Sequence, residues 1–431
     1  MIKKSGATVP FRIALQQPNG STVVQSGELL PDEHPQSELN FMHVERLLKF
    51  MLWSGGGSRW FWQGPQSIGE RLRQRFSSHP CGSFDSDFMF KVYQEPFSGT
   101  ITDEVPETRE LASPLGRNLE GCRIGFDLGG SDRKVAAVID GEVVFSEETP
   151  WDPYYQNDTE YHRAGIMDSI EKAKTHLPRL DAVGGSSAGV FVDNRPRVAS
   201  LFRGVSDSDF TEKISSMFID LGKELEVPLS IINDGEVTAL AASMSLEENA
   251  VLGIAMGTSE ATGYVDTHGR VTSWLNELAF APVDYSPNAP ADEWSGDLGC
   301  GVQYFSQQAV GRLIPKTSLS IDSNLGLPQK LERVQEFMEN NNEEAADIYR
   351  TIGVYLGYAV AHYASFYSIG HVLILGRVTT GKGGAIIQEE ASKTLACEFP
   401  ELKRRINLHQ PDEKNKRHGQ AIAAASLPAI N

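Results

Sequence analysis

The sequence predicts an α/β protein built from two similar halves, which follow a separate N-terminal α+β module. The main observation is a repeated unit of strand, Gly-containing turn, strand, polar turn and strand, found at residues 124–144 (IGFDLGGSDRKVAAVIDGEVV) and again at 253–271 (GIAMGTSEATGYVDTHGRV). Alternating helix and strand patterns follow both copies, which is typical of paired α/β structures. We expect the two halves to face each other across a cleft, where ligands commonly bind.

The N-terminal module shows both strand and helix patterns. Two apolar runs flank the Pro-Asn-Gly turn at 18–20 and predict a pair of strands. The stretches 37–52 and 68–76 predict helices, and the apolar stretch 87–99 predicts another strand. The predicted domains are, in chain order, 1–121 as the N-terminal α+β extension, 122–237 together with a C-terminal helix at 415–431 as the first half, and 238–414 as the second half.

The composition narrows the class of protein. The 431 residues carry a formal net charge of -18, which argues against general affinity for nucleic acid or anionic membrane surfaces. The N-terminus has no apolar signal-like segment and no long uncharged apolar run follows, so we expect a cytoplasmic protein without a membrane anchor. The cysteines are far apart and form no CxxC pair, which favours neither a disulfide framework nor a Cys-rich zinc site. They are Cys81, Cys122, Cys300 and Cys397.

The first Gly-containing turn carries groups suited to an anion. Asp127 ends a short apolar run, and Gly129, Gly130 and Ser131 connect it to the next one. Glycines allow a ligand to approach the backbone closely, and a Ser hydroxyl with backbone N–H groups suits a phosphate. An ordinary Gly-rich hairpin is the alternative interpretation of this segment alone.

A second candidate group lies where a predicted strand meets a helix. Asn233 and Asp234 end the apolar run PLSII and begin the stretch GEVTALAA. An Asp at this place often caps the helix. A carboxylate at the carboxyl end of a strand beside a cleft is also well placed to act as a general base towards a hydroxyl.

Three further segments have both a structural and a functional interpretation. Gly257, Thr258 and Ser259 form the second copy of the turn, which is either a hairpin or a second phosphate contact. The loop at 375–384 (LGRVTTGKGG) is either a common strand-to-helix connection or a surface on which a base and ribose lie against backbone. Glu277 stands in an apolar run and needs a partner, either a structural ion pair or the hydroxyls of a polyol.

Taken together, these segments resemble the sugar-kinase branch of the actin-like ATPases, and more specifically the ROK family (repressors, open reading frames and sugar kinases). The resemblance runs from about residue 122 to the end of the chain and rests on five motifs in family order. It implies two facing ribonuclease H-like lobes with an interlobe cleft. The motifs are DLGGSDRK at 127–134, VGGSSAGVFVD at 183–193, VPLSIINDGEVTALA at 227–241, GIAMGTSEATGYV at 253–265 and HVLILGRVTTGKGG at 371–384.

The resemblance implies an ATP-dependent phosphotransferase acting on a hydroxyl of a sugar or sugar-like compound. Asp234 would be the general base, and Asp127 would hold Mg²⁺ through water. Closure of the lobes would limit hydrolysis of ATP by water. The residues implied to line ATP are Gly129, Gly130, Ser131 and Lys134 from the first lobe, Gly257, Thr258 and Ser259 from the second, and Gly376 with Arg377 around adenosine.

The resemblance also implies the acceptor site and the partners. Asn233 and Glu277 would contact sugar hydroxyls, and Ser187 with Gly189 belong to the segment that leads to the sugar. The expected partners are a small sugar-like substrate and a second copy of the chain in a homodimer, with neither membrane nor nucleic acid.

The chain departs from the family pattern at the acceptor site. The usual Glu-Leu-Gly-His, whose His touches the sugar and binds zinc, is here Glu277-Leu278-Ala279-Phe280. The Cys-rich zinc loop retains only Cys300, and the position of a further sugar-binding Glu falls at Val302. One thiol does not make a zinc site, so we expect no zinc. We expect a less polar, substituted or smaller acceptor, or a sugar in another orientation.

The alternative hypothesis is a non-catalytic, sugar-sensing regulator or binding protein. ROK repressors carry an N-terminal DNA-binding module, and this chain has an N-terminal extension with Arg71, Arg73 and Arg75 on one predicted helix. These arginines also fit a solvated helix face. Residues 1–121 contain 12 Lys and Arg against 14 Asp and Glu, so no basic footprint is visible.

Overall fold

The N-terminal strands pair into one sheet, against which helices pack. The computed structural model describes residues 8–111, 115–411 and 416–430. The sheet order is β2-β1-β3-β4; β1 is antiparallel to β2 and β3, and β3 is parallel to β4. The elements of this region are β1 (Val9–Gln16), β2 (Thr22–Leu29), α1 (Leu39–Ser54), β3 (Arg59–Gln63), α2 (Gln66–Ser78), α3 (Pro80–Tyr93) and β4 (Ser98–Ile101).

One expectation for this region was wrong. The stretch 87–99 was predicted as a strand, but most of it belongs to α3, and only its last two residues fall in β4. The buried positions of α3 include Asp85, Met89 and Val92, which recur every three or four residues as a helix requires. The run of aromatic and β-branched residues therefore follows helical rather than alternating periodicity.

The remaining elements alternate between helices and strands, as the sequence predicts for an α/β protein. The first group is β5 (Cys122–Leu128), β6 (Asp132–Ile139), β7 (Glu142–Pro150), α4 (Thr159–Lys174), β8 (Ala182–Ser187), β9 (Val190–Val192), β10 (Arg195–Val198), α5 (Asp207–Asp209), α6 (Met217–Leu225), β11 (Leu229–Asn233), α7 (Asp234–Leu246), β12 (Val251–Met256) and β13 (Glu260–Val265). The second group is α8 (Gln307–Leu313), α9 (Leu327–Glu339), α10 (Glu343–Tyr363), β14 (His371–Leu375), α11 (Lys382–Glu398), α12 (Pro400–Lys403), β15 (Asn407–His409) and α13 (Lys416–Ala425).

Two sheets share one local order, which confirms the first two strands of the repeated unit in both copies. The third strand predicted for the second copy was wrong, because among the described residues Val271 forms only isolated bridges there. The first has the order β11-β8-β5-β6-β7, with β5 antiparallel to β6 and parallel to β8. The second has the order β13-β12-β14-β15, with β12 parallel to β14. In each sheet a central strand therefore pairs with its hairpin partner on one side and with a later parallel strand on the other.

The two sheets are connected by a pair of helices. Helix α13 packs on β5, β8 and α7, while α7 packs on β12. One apolar cluster accordingly contains side chains from all four of the elements α7, β12, β14 and α13. They include Leu240, Val251, Leu373 and Ala423, in that order.

Contacts between Cα atoms separate the chain into two compact units. The first contains the described part of Met1–Ser113 with Thr258–Glu260 and Ser273–Arg312. The second contains the described parts of Pro114–Gly257, Ala261–Thr272 and Leu313–Asn431. The domain boundaries at 121/122 and 237/238 stay predictions, and the boundary at 414/415 lies outside the described residues. Within the described ranges, no helix is long and apolar enough to cross a membrane.

A buried cluster of charged side chains stabilises the first unit. Lys49 on α1 forms ion pairs with Asp85 of α3 (3.2 Å) and with Asp297, and all three side chains are at most 5% exposed. Arg46 pairs with the same Asp297 at 3.0 Å. The charges of Lys49 and Arg46 outweigh the effect of burial and lower the pKa of Asp297 to about 2. Asp297 is therefore ionised at neutral pH and ties residues 273–312 to α1.

We predict that Lys49→Met lowers the free energy of unfolding by about 3–5 kcal/mol, because it leaves the buried Asp85 without its ion-pair partner and removes one of the positive charges that face Asp297. Arg12→Met removes the more exposed Arg12–Glu107 pair and serves as the matched control. Its expected loss is below about 1 kcal/mol. Urea unfolding followed by circular dichroism measures both, and equal losses would contradict a dominant role for the buried cluster.

Candidate functional site

The carboxyl ends of three parallel strands bring the first group of predicted residues together. Leu128 of β5 lies opposite Ser187 of β8, which in turn lies opposite Asn233 of β11. One position earlier, Asp127 lies opposite Ser186, whose hydroxyl donates a 2.5 Å hydrogen bond to Asp127 Oδ1. The strand register therefore gathers Asp127, Ser187 and the Asn233–Asp234 pair at one edge of the sheet.

Asn233 and Asp234 begin α7, and their roles at the helix terminus differ from the simplest expectation. Asn233, rather than Asp234, is the N-cap, and its Oδ1 accepts a 2.7 Å hydrogen bond from the Gly235 N–H. Its Nδ2 donates to the Gly189 carbonyl at 2.8 Å. Asp234 Oδ1 also accepts from the Gly235 N–H, at 3.0 Å. Both side chains are thus oriented by backbone groups before any ligand arrives.

Burial and neighbouring charges change the proton affinity of both carboxyls at this edge. Burial, and then the negative charge of Asp127, raise the pKa of Asp234 to about 6, although backbone N–H groups oppose the shift. Burial also raises the pKa of Asp127, against the opposing effects of the Ser186 hydrogen bond and the Lys134 charge. A carboxyl with a pKa near neutrality is a better proton acceptor than an ordinary, fully solvated Asp.

The first Gly-containing turn is held by an aromatic side chain. The indole Nε1 of Trp151 donates to the Gly129 carbonyl at 2.7 Å, and its backbone N–H donates to the Ser131 carbonyl at 3.1 Å. A Cβ at Gly130 would lie 2.1 Å from the Tyr154 hydroxyl, so this position has no room for a side chain. Lys134 is 47% exposed. Its ammonium forms an ion pair with Asp132 (3.3 Å) in the same hairpin.

The predicted adenosine loop begins with a glycine that the backbone requires. Gly376 has φ +98°, and a Cβ there would lie 2.6 Å from the Met256 carbonyl oxygen. The loop therefore passes directly beside the end of β12, next to Gly257. The Arg377 carbonyl accepts a 3.1 Å hydrogen bond from Gln335 of α9, and the Arg377 side chain is exposed.

Within the first unit, α1 positions the predicted acceptor residue Glu277. The backbone N–H groups of Asn276 and Glu277 donate to the carbonyls of Ser54 and Trp53, both at 2.9 Å. These carbonyls belong to the last turn of α1, which would otherwise lack partners. Thr258 and Ser259 of the second turn lie in the same unit with exposed side chains.

The sequence interpretation missed Glu260, which directly follows the second turn. Its side chain is buried (4% exposed) and, among the described residues, neither carboxylate oxygen has a hydrogen-bond partner. Burial, and then the charge of Glu277, raise the pKa of Glu260 to about 8. The available signal was an acidic residue at the start of a predicted buried strand, which departs from ordinary strand composition.

Two of the residues that depart from the family pattern lie in apolar surroundings. Phe280 packs against the aromatic rings of α1 and α3, with centroid distances of 4.6 Å to Trp53 and 5.5 Å to Phe84. Val302 forms a small buried cluster with Ala279 and Cys300. Among the described residues, no group of three or more His, Cys, Asp or Glu side chains is arranged to hold a metal ion. The expectation of no zinc stays a prediction.

Comparisons with known proteins bear on the fold. No family model matches the chain, and no curated protein matches it either. A solved structure of a ROK hexokinase from Thermus thermophilus aligns with a TM-score of 0.54 at 17% identity, covering 70% of this chain and 96% of the hexokinase. A ROK glucokinase from Streptomyces griseus, in complex with glucose and AMPPNP, aligns with a TM-score of 0.50 at 18% identity, covering 71% of this chain and 98% of the glucokinase.

A regulator is similar to the same degree. A ROK family transcriptional regulator, a homologue of the E. coli MLC protein, aligns with a TM-score of 0.55 at 17% identity. The alignment covers 72% of this chain and 79% of the regulator. At such identities the likeness concerns the fold, and the resemblance stated from the sequence motifs is confirmed at that level. The chain has the mixed α/β fold of the ROK sugar kinases and regulators.

Proposed function

We propose that the protein is an ATP-dependent kinase that phosphorylates a hydroxyl group of a sugar or sugar-like compound. The observation that carries the proposal is the Asp234 carboxyl at the start of α7. It lies at the carboxyl edge of the sheet, close enough to Asp127 for the two charges to interact, and has a pKa raised to about 6. Similar folds in a hexokinase and in a glucokinase bound to glucose and AMPPNP support this chemistry.

In this proposal, Asp234 orients the acceptor hydroxyl and accepts its proton as the phosphoryl group moves. Catalysis of phosphoryl transfer depends mainly on positioning the reacting groups and on stabilising the charge of the transition state. One oriented carboxylate therefore suffices as the base. The Gly235 N–H holds one Asp234 oxygen, which restricts the side chain to one orientation. Asn233 retains hydrogen-bonding capacity beyond its contacts with Gly235 and Gly189, and this remainder would bind a second acceptor hydroxyl.

The residues present fit a nucleotide and a divalent cation. Gly130 and Gly376 allow both turns to pack closely, because a Cβ there would collide with the Tyr154 ring and with the Met256 backbone. Asp127 offers a carboxylate that a single hydroxyl hydrogen bond orients, as a hard cation or its bound water requires. Mg²⁺ held there would neutralise charge on the phosphates. Lys134 would add a positive charge beside the first turn.

The remaining assignments are part of the same proposal. Gly129, Ser131, Gly257, Thr258, Ser259 and Arg377 would contact ATP, and Ser187, Gly189 and Glu277 would contact the acceptor. The two-lobed arrangement, the homodimer and the cytoplasmic location are likewise proposed.

The first test measures ATP consumption by the purified protein with Mg²⁺ across hexoses, N-acyl hexosamines and polyols. We expect turnover with at least one acceptor, and a loss of at least about 100-fold in kcat for Asp234→Asn, because the amide cannot accept the proton. Asp158→Asn is the matched control, since Asp158 caps α4 through the Glu160 N–H and is assigned no role in the reaction. Equal activity of the two variants would contradict a base at Asp234.

The pH dependence provides a second test. The base works as the carboxylate, so kcat/KM should be constant at neutral pH and above and fall about tenfold per pH unit well below the pKa of Asp234, which burial keeps raised even where Mg²⁺ offsets the charge of Asp127. Rates are measured at saturating Mg²⁺ so that protonation of Asp127 does not limit them. A profile that stays flat down to pH 4.5 would exclude Asp234 as the titrating group.

The second candidate function is a sugar-sensing regulator without turnover, which the similar fold of the ROK regulator favours. The arginines of α2 give no support to DNA binding by this chain, because each has an intramolecular partner. Arg75 pairs with Glu45 at 2.7 Å, Arg73 donates to the Gly99 carbonyl, and Arg71 lies over the Phe41 ring. If no acceptor gives turnover above Asp234→Asn, while ATP or a sugar raises the melting temperature, the sensing function replaces the kinase.

A further inference from the structure

Glu260 is a buried carboxyl without a hydrogen-bond partner among the described residues. Both of its oxygens are inaccessible to solvent, and its side chain is 4% exposed. Burying a polar group without a partner is destabilising, so such a group calls for a specific explanation. A hydroxyl group that binds the carboxyl provides one.

The neighbouring backbone makes room for this carboxyl. Residue 301 is a glycine, and a Cβ there would lie 2.4 Å from Glu260 Oε2 and 2.5 Å from the Leu278 carbonyl oxygen. Any other residue at 301 would push the carboxyl away from this place. Glu260 therefore approaches the two short helical turns at Leu278–Phe280 and Gly301–Gln303, which flank Ala281 and Cys300.

We propose that Glu260 is a second acceptor-binding residue, which binds a hydroxyl group of the acceptor beside Glu277. The inference rests on the proposed kinase function and specifies its acceptor site. The charge of Glu277 contributes to the raised pKa of Glu260. The backbone N–H of Glu277 is hydrogen-bonded to the Trp53 carbonyl in the last turn of α1. A polyol with two adjacent hydroxyls matches two neighbouring carboxyl groups, since each hydroxyl both donates and accepts hydrogen bonds.

The protonation state of Glu260 determines which hydrogen bonds its carboxyl forms. Because burial and Glu277 raise the pKa of Glu260 to about 8, this carboxyl is protonated at neutral pH and donates as well as accepts. Deprotonation would place a second negative charge beside Glu277 and remove the donor. Acceptor binding is therefore expected to weaken as the pH rises through about 8.

The test compares Glu260→Gln and Glu260→Ile with the wild type. We expect Glu260→Ile to raise the KM of the acceptor about tenfold or more, the effect of about one lost hydrogen bond, while the KM of ATP changes less than about twofold. Glu260→Gln retains a donor and an acceptor, so its KM should lie nearer the wild type and lose the dependence on pH around 8. Glu107→Gln is the matched control, because Glu107 is 79% exposed in the same unit.

A binding measurement distinguishes this inference from the kinase function itself. The shift in melting temperature that each acceptor produces without ATP is recorded for all four proteins. If the wild type turns over an acceptor and both Glu260 variants bind that acceptor as well as the wild type does, Glu260 only fills space. This inference alone then fails. Where the wild type neither turns over nor is stabilised by any acceptor, the kinase function fails and the inference with it. Binding without turnover still tests Glu260 through the same shift.

Discussion

The register of β5, β8 and β11 is the constraint on which the candidate catalytic edge depends. Side chains alternate between the two faces of a sheet, so a slip of one residue would turn Asp127 away from Ser186. The same register brings Asn233 level with Ser187, which fixes where α7 begins and therefore where Asp234 lies. Burial of the strands specifies this register strongly. Packing of the core therefore determines where Asp127 and Asp234 lie.

In the first unit, ionic and aromatic contacts hold the segment that carries Glu277. Asp297 is tied to α1 through Lys49 and Arg46, and Phe280 packs against Trp53 of the same helix. The last carbonyls of α1 bind the N–H groups just before and at Glu277. A buried ion cluster of this kind adds little net stability over apolar packing, but it tolerates only one arrangement of its members. Specific positioning of Glu277 follows from that restriction.

The sequence predicted the parts of the site that depend on local patterns. Asp127 and Asp234 were identified because each stands at the end of an apolar run. The end of such a run marks the end of a predicted strand without any knowledge of the tertiary structure. The error at 87–99 arose because short apolar runs are ambiguous between helix and strand. The pairing of Lys49 with Asp297 spans 248 positions, and no local pattern encodes a contact over that separation. Glu260 had a local signal as an acidic residue at the start of a strand, but the environment that buries it is made by the distant Gly301 and Glu277.

The exchange of polar groups around Glu277 bears on the acceptor. Phe280 and Val302 are apolar where the family pattern has sugar-binding side chains, and both pack among apolar neighbours here. Apolar packing at these two places would simply remove hydrogen bonds if nothing replaced them. Glu260 introduces one carboxyl into the same region, and the glycine at 301 gives it the space. Under the proposed kinase function, a change in the geometry of acceptor binding explains the loss of two polar contacts and the gain of another better than a loss of binding does, because an unused buried carboxyl is costly to retain.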